Sequence, residues 1–212
     1  MKKISLALVV CLMVAFGFCG CGGPTPTQTA DTFLTAVKAG DAETIKTVYE
    51  GETFDVLAVL DEESEGDSSD EDIMKDDKLV DMLLEKMLDF DYELSNEKID
   101  GDKATVDVKI TTYNIGNAFT AFMTDYFTQA FALAFSDASD EQMEELANTI
   151  FETKMNELKD KDYSETVTLN LVNKDDGWKI VKIKNGGDFY NAISGGLVKA
   201  FENLEDAFSF DE

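Results

Sequence analysis

The chain has 212 residues and a formal net charge of −26, because 44 acidic residues outnumber 18 basic ones. All 18 basic residues are lysines, and the sequence contains neither arginine nor histidine. These absences exclude a Ser-His-Asp triad, imidazole zinc sites and bidentate arginine clamps on phosphate. Because a strongly acidic surface repels nucleic acid, we expect no nucleic-acid partner, and no motif indicates a catalytic residue or a bound cofactor.

Residues 1–20 have the three parts of a secretory leader: two lysines, an apolar run over residues 4–18, and small residues at its end. The tetrapeptide that closes it, Phe18-Cys19-Gly20-Cys21, resembles the bacterial lipobox. The resemblance implies cleavage before Cys21 and diacylation of its sulfur by chains such as palmitate. The protein would then be held on the extracytoplasmic face of the cell membrane. An uncleaved signal anchor or simple secretion are the alternatives.

After the leader, the sequence predicts a short spacer and one domain. Removing residues 1–20 leaves 192 residues with a net charge of 16 − 44 = −28. Residues 21–29 would be the lipidated cysteine and a polar spacer, and residues 30–212 are enough for a single domain with a buried core. No cysteine follows Cys21, so this domain forms no disulfide.

Helical and alternating patterns follow one another along this domain. Thr25, Pro26 and Gln28 predict a helix start, and Gly40 predicts its end. Further helices are predicted from Asp41, around 79–88, over 115–136 and 139–159, and finally as one helix that carries Ile193 to Phe208. Two hairpins are predicted, one over 92–110 that turns at Asp100-Gly101 and one over 167–183 that turns at Asp176-Gly177.

This order predicts an α+β fold with an antiparallel sheet of two hairpins packed on helices and a two-helix insertion at about 115–159. The return strand of the second hairpin, Trp178 to Ile183, has apolar residues on both faces, so we expect it to be covered on both sides or kinked.

Two segments of the sequence resemble a known class of protein. They are Ala30-Asp31-Thr32-Phe33-Leu34-Thr35-Ala36-Val37-Lys38-Ala39-Gly40-Asp41 and Asp175-Asp176-Gly177-Trp178-Lys179-Ile180. The pattern is similar to small extracytoplasmic lipoproteins with an NTF2-like or cystatin-like domain, over residues 26–113 and 163–184. The resemblance implies a curved sheet wrapped around helices, often with a pocket. The paired helices at 115–159 depart from that compact pattern.

An acidic stretch at residues 61–72 has the register of an EF-hand calcium loop. The matching positions are 1, 3, 5, 6, 9 and 12, occupied by Asp61, Glu63, Glu65, Gly66, Ser69 and Asp72. Glu63 and Glu65 stand where a shorter acid is expected, and Asp72 is shorter than the usual bidentate glutamate. Both a calcium site and a solvated acidic loop therefore remain open.

The helix at 118–135 carries an unusual number of aromatic residues. They are Phe119, Phe122, Tyr126, Phe127, Phe131 and Phe135, with Met123 among them. Such a stripe builds a core, lines a pocket for an apolar ligand or forms a dimer face. If the domain were an NTF2-like enzyme, Tyr113 and Tyr126 would be candidates for its tyrosine. Their spacing from other residues does not single them out for that role.

These patterns favour a membrane-anchored module without catalytic activity. It would present the sheet or the aromatic helix pair to a small apolar ligand or to a surface protein, with self-association as a further option. A calcium-binding protein acting through residues 61–72 and an NTF2-like enzyme are the alternatives.

Overall fold

The computed structural model describes residues 23–59, 77–134, 138–174 and 177–208. Within these ranges the chain forms seven α-helices and four strands. The helices are α1 (Pro26–Ala39), α2 (Ala42–Val48), α3 (Asp77–Leu88), α4 (Ile115–Ala134), α5 (Asp140–Glu157), α6 (Asp188–Ile193) and α7 (Leu197–Phe208). The strands are β1 (Asp91–Asp100), β2 (Lys103–Thr112), β3 (Tyr163–Lys174) and β4 (Gly177–Ile180). The apolar run after α2 contains a single 3₁₀ turn at Val56–Val59.

Local sequence signals fix the ends of α1. Thr25 and Gln28 form a reciprocal capping box, Pro26 occupies the first turn, and Gly40 closes the helix in the left-handed conformation with φ 64°. Asp41 then caps α2 by accepting a hydrogen bond from the Thr44 amide at 3.0 Å. The predicted helix start at Thr25 and helix end at Gly40 are therefore confirmed.

The four strands form one antiparallel sheet in the order β1-β2-β3-β4, and the α4–α5 pair is inserted between β2 and β3. Val106 and Val108 are buried on one face of β2, whereas Lys109 is exposed on the other. In β3, Leu169 is buried beside the exposed Thr168. This alternation gives the sheet an apolar face covered by helices and a polar outer face.

The core lies between the apolar face of the sheet and the helices α1 and α6. Phe33 of α1 is fully buried and its ring lies 5.9 Å from that of Phe189 in α6. Leu83 of α3 is also buried in this core. The predicted α+β class and the antiparallel sheet of two hairpins with a helical insertion are confirmed.

The end of the second hairpin differs from the prediction. β4 ends at Ile180 rather than Ile183, so the return strand is only four residues long. The amide of Val181 still donates to Asn170 of β3, but that of Ile183 donates to the Tyr49 hydroxyl at 3.0 Å. A contact from outside the sheet thus replaces the expected strand pairing.

The prediction of one C-terminal helix was also wrong, because the chain breaks between α6 and α7. Gly195 and Gly196 have φ values of 59° and 84°, in the region that glycine adopts without strain. The Gly196 amide donates to the Asn191 carbonyl at 2.9 Å, which ends α6. A Cβ at Gly195 would overlap the backbone carbonyl oxygen of Tyr113, so close packing requires glycine there.

Candidate functional site

Two of the predicted sites lie outside the described residues. These are the lipid-attachment residue Cys21 and the acidic loop at 61–72, with its candidate ligands Asp61, Glu63, Glu65, Ser69 and Asp72. Both stay predictions. Among the residues that the structure does describe, no group of three or more acidic, histidine or cysteine side chains is arranged to hold a metal ion.

The first half of the aromatic helix, α4, is part of the core. Asn114 starts the helix by accepting a hydrogen bond from the Asn117 amide at 3.2 Å. Phe122 is 1% exposed and meets the Phe151 ring of α5 edge-on, at a centroid distance of 5.5 Å. These contacts confirm the core interpretation for the first turns of the helix.

Helix α7 covers only this first half of α4. The two helices start side by side, because Gly116 packs against the Gly196 carbonyl and the Phe119 ring lies 4.6 Å from that of Phe201. From this common start α4 extends for 20 residues and α7 for 12. At 1.5 Å per residue these are about 30 Å and about 18 Å, so α4 continues past the described end of α7.

The second half of α4 presents two phenylalanines to solvent. Phe127 is 48% exposed and Phe131 is 69% exposed. They are four residues apart and therefore share one face of the helix. The remaining large apolar residue that is exposed in the described ranges is Ile99, at 56% on the edge strand β1. We call Phe127 and Phe131 the exposed aromatic pair.

The groove beside α4 is not the apolar pocket that the aromatic stripe could have lined. It has a volume of about 370 Å³ and lies between the first turns of α4 and the end of α5. Asn114, Lys154 and Asp162 are among its lining residues. Lys154 forms an ion pair with Asp125 at 2.7 Å, and this hydrogen bond raises the pKa of the lysine. The groove is therefore polar and open.

A polar cluster that sequence reasoning missed joins β3 to α6 and α7. Asn191, 1% exposed, donates to the Tyr163 hydroxyl at 2.9 Å and to Glu165 at 2.7 Å. Tyr163 and Lys199 donate to the same carboxylate at 2.6 and 2.8 Å. We call these four residues the polar cluster; Asn191 is buried, Tyr163 and Glu165 are half-buried and Lys199 is exposed. They lie up to 36 positions apart in the sequence, so no local spacing connects them.

The hydrogen bonds of the polar cluster set the protonation state of Glu165 and Tyr163. Burial raises the pKa of Glu165, but the hydrogen bonds from Lys199, Tyr163 and Asn191 outweigh it and hold that pKa below its usual value. Burial, followed by the hydrogen bond to Glu165, raises the pKa of Tyr163 well above its usual value. The cluster is thus an ionised carboxylate held by a cation and neutral donors, and its role is to fasten α6 and α7 to the sheet.

Tyr113, one of the two tyrosines nominated for an enzyme, lies in a surface network. Its hydroxyl donates to Asp89 at 2.9 Å, and Lys161 donates to the same carboxylate at 2.8 Å. The hydrogen bond from Lys161 is the largest cause that lowers the pKa of Asp89, and the one to Asp89 raises the pKa of Tyr113. Since the Asp89 side chain is 53% exposed, this pair does not face a closed pocket.

Comparisons with known proteins identify a family but no activity. A family model described as "Domain of unknown function (DUF5105)" matches residues 68–192, more than half of the chain. That range includes the whole sheet and the α4–α5 pair. None of the curated proteins matches the chain.

One similar solved structure is the crystal structure of YcdA, described as a proposed lipoprotein of Bacillus subtilis. The alignment has 16% identity and a TM-score of 0.39, and it covers 84% of this chain and 48% of that one. The chain therefore spans less than half the length of that protein. Within the described residues, no helix combines the length and the apolar composition needed to cross a membrane.

Proposed function

The chain belongs to the DUF5105 family, and we propose that it is a lipid-anchored, extracytoplasmic binding module without catalytic activity. Cys21 carries the lipid, and the α4–α5 pair presents the exposed aromatic pair to a partner protein close to the membrane surface. An NTF2-like or cystatin-like relationship of the domain belongs to this proposal. It is supported by a four-stranded antiparallel sheet with helices on one face.

The tether is short. Helix α1 starts at Pro26 with Thr25 as its cap, so three residues separate Cys21 from the first fixed residue of the domain. Four Cα-to-Cα steps span at most about 14 Å. A domain on such a tether stays next to the bilayer, and its reach is limited to partners in or near the same membrane.

The binding helices start at the end of the sheet away from the tether. Thr27, in the first turn of α1, donates to Glu97 near the β1–β2 turn. Helix α4 begins at Ile115, after the opposite end of β2. A ten-residue strand is about 33 Å long. The start of α1 and the start of the helical insertion are thus separated by roughly the length of the sheet.

The exposed aromatic pair is the observation that carries the binding role. The described domain buries its other aromatic rings fully or in part, yet Phe127 and Phe131 stand out from a regular helix. Exposed aromatic residues rimmed by charge are typical of protein interaction sites, where they supply most of the binding energy. The groove beside α4 is open and lined by polar residues, and the Asp89 carboxylate beside Tyr113 is 53% exposed, so neither of these two places supports the catalytic alternative.

The anchor is tested by cell fractionation and by metabolic labelling with a fatty acid. We expect the unaltered protein to carry label and to sediment with membranes. The Cys21→Ser variant should lose the label and leave the membrane fraction. Cys19→Ser is the matched control, since it removes a thiol two residues away and should keep both properties. Retention of Cys21→Ser in the membrane would contradict the lipid anchor.

A further inference from the structure

We propose that Ile99, at the end of the first hairpin, inserts into the headgroup region of the bilayer that holds the lipid anchor, and that this contact sets the orientation of the domain. This inference rests on the proposed anchor at Cys21 and adds a second point of contact between the protein and its membrane. Ile99 is 56% exposed on the edge strand β1. The occupant of this end of the domain is therefore a phospholipid surface.

Helix α1 runs antiparallel to β1 and starts beside the last residues of that strand. The amide and the hydroxyl of Thr27 donate to Glu97 at 2.8 and 2.6 Å. Lys38, near the other end of the helix, donates to the Phe90 carbonyl just before the strand begins. The tether therefore leaves α1 in the same direction in which β1 runs toward its turn.

Ile99 lies on the helix-covered face of the sheet, but α1 does not reach it. Its partner across the hairpin, Ala104, is buried on that face, and directly opposite residues of paired strands share a face. Glu97, two residues earlier, is level with the first turn of α1, so Ile99 lies about 7 Å beyond that turn. Residues 23–25 are exposed and do not cover it. The apolar face thus continues past the helices where the tether leaves.

The short tether is what makes the bilayer the occupant. A lipid on Cys21 would be separated from Thr25 by at most about 14 Å of chain, and Ile99 lies next to the point where that chain enters α1. One apolar side chain does not hold a free protein on a membrane. A short tether, however, raises its effective concentration to the order of millimolar, so even a weak contact becomes populated.

The charge of the hairpin end permits the same contact. Lys98, Asp100, Asp102 and Lys103 are all exposed, and their formal charges cancel. The whole chain has a formal net charge of −26, so an anionic bilayer repels the rest of the domain more strongly than this end. Insertion and repulsion therefore favour one orientation, with the β1–β2 turn toward the membrane and the start of α4 away from it.

The experiment supplies the tether chemically. Without its leader the chain has a single thiol, that of Cys21, which is coupled to a maleimide phospholipid in phosphatidylcholine vesicles. Lysines are then acetylated with a water-soluble reagent, and the rate at each is read by mass spectrometry. Lys103 and Lys109 are both exposed on β2, about 20 Å apart. Coupling should slow acetylation of Lys103 by at least about threefold and leave Lys109 unchanged.

Matched variants assign the contact to the hairpin end. Ile99→Ser should abolish the slowing at Lys103, and circular dichroism should show the same fold, because the side chain it replaces is mostly exposed. Lys98→Glu makes the hairpin end anionic and should abolish the slowing on vesicles that contain phosphatidylglycerol. Lys109→Glu makes the same change of charge away from the turn and should leave the slowing at Lys103 in place.

Three outcomes would overturn the proposal. No slowing at Lys103, or equal slowing at Lys103 and Lys109, would show that the domain does not stand on its hairpin end. Slowing that persists in Ile99→Ser would show that nearness to the vesicle, without insertion, is its cause. Slowing that appears in uncoupled protein as its concentration rises would make a second copy the occupant. An unlabelled Cys21 in cells would refute the natural anchor without altering any of these rates.

Discussion

Removal of the Asn191 side chain should destabilise the domain far more than its size suggests. Its amide nitrogen donates to the ionised Glu165 at 2.7 Å and to Tyr163 at 2.9 Å, and its oxygen accepts from the Lys199 amide in the first turn of α7 at 3.1 Å. Asn191 thus caps α7 from eight residues upstream. Loss of such a cap costs about 1 kcal/mol, and loss of a hydrogen bond to a charged group, here a partly buried one, about 1.5–3 kcal/mol.

The expected cost of Asn191→Ala is therefore about 3 kcal/mol, a large part of the 5–15 kcal/mol that stabilises a typical domain. The measurement is urea unfolding followed by circular dichroism, where this loss lowers the midpoint by about 1 M or more at m values of 1–3 kcal/mol/M. Asn117→Ala is the matched control, since that residue is exposed in the first turn of α4. Its effect should stay within about 0.5 kcal/mol.

The cluster should also behave as a unit. Tyr163→Phe removes one hydroxyl but keeps the ring, and in combination with Asn191→Ala it should cost less than the sum of the single changes, because both variants disturb the same carboxylate. A loss below about 1 kcal/mol for Asn191→Ala, or an equal loss for Asn117→Ala, would refute the reasoning.

Three further outcomes follow from the described packing. Gly195→Ala should destabilise the domain severely, because its φ is 59° and a Cβ would overlap a backbone carbonyl, whereas Gly101→Ala, at φ 63° but in open space, should cost only about 1 kcal/mol. Phe122→Ala should cost about 3–5 kcal/mol and Phe131→Ala about 0.5 kcal/mol or less in the same assay, since they are 1% and 69% exposed. Burial raises the pKa of the Glu165 carboxyl group, but its hydrogen bonds lower that pKa by more, so the pKa in the folded protein lies below the ordinary value of 4.5. The ionised carboxylate therefore stabilises the fold above pH 4.5, and this stabilisation is lost as the pH falls through the pKa of the folded state. Lys199→Met should raise that folded pKa and move acid unfolding to higher pH, and an unchanged acid midpoint would contradict this account.

The aromatic helix shows how far the candidate site was predictable. The spacing of its rings predicted the helix α4 and its unusual apolar content. It left open whether these rings build a core, line a pocket or form an interface, because that depends on which other helices pack against α4. The structure divides the helix: α5 and α7 bury Phe122 and pack on Phe119, while Phe131 lies beyond the described end of α7. The length of α7 relative to α4 is a property of the assembled fold and leaves no trace in the α4 sequence.

The sequence by itself determined the elements whose energy is local. The capping box at Thr25, the helix end at Gly40 and the turn at Gly101 all involve groups within a few residues of one another, so each could be predicted from the sequence pattern. Only the tertiary structure decided which groups hold the Glu165 carboxylate and brought Gly195 against the backbone of Tyr113. Both depend on the approach of segments far apart in the chain, and the free energy of such contacts exists only once the segments pack together.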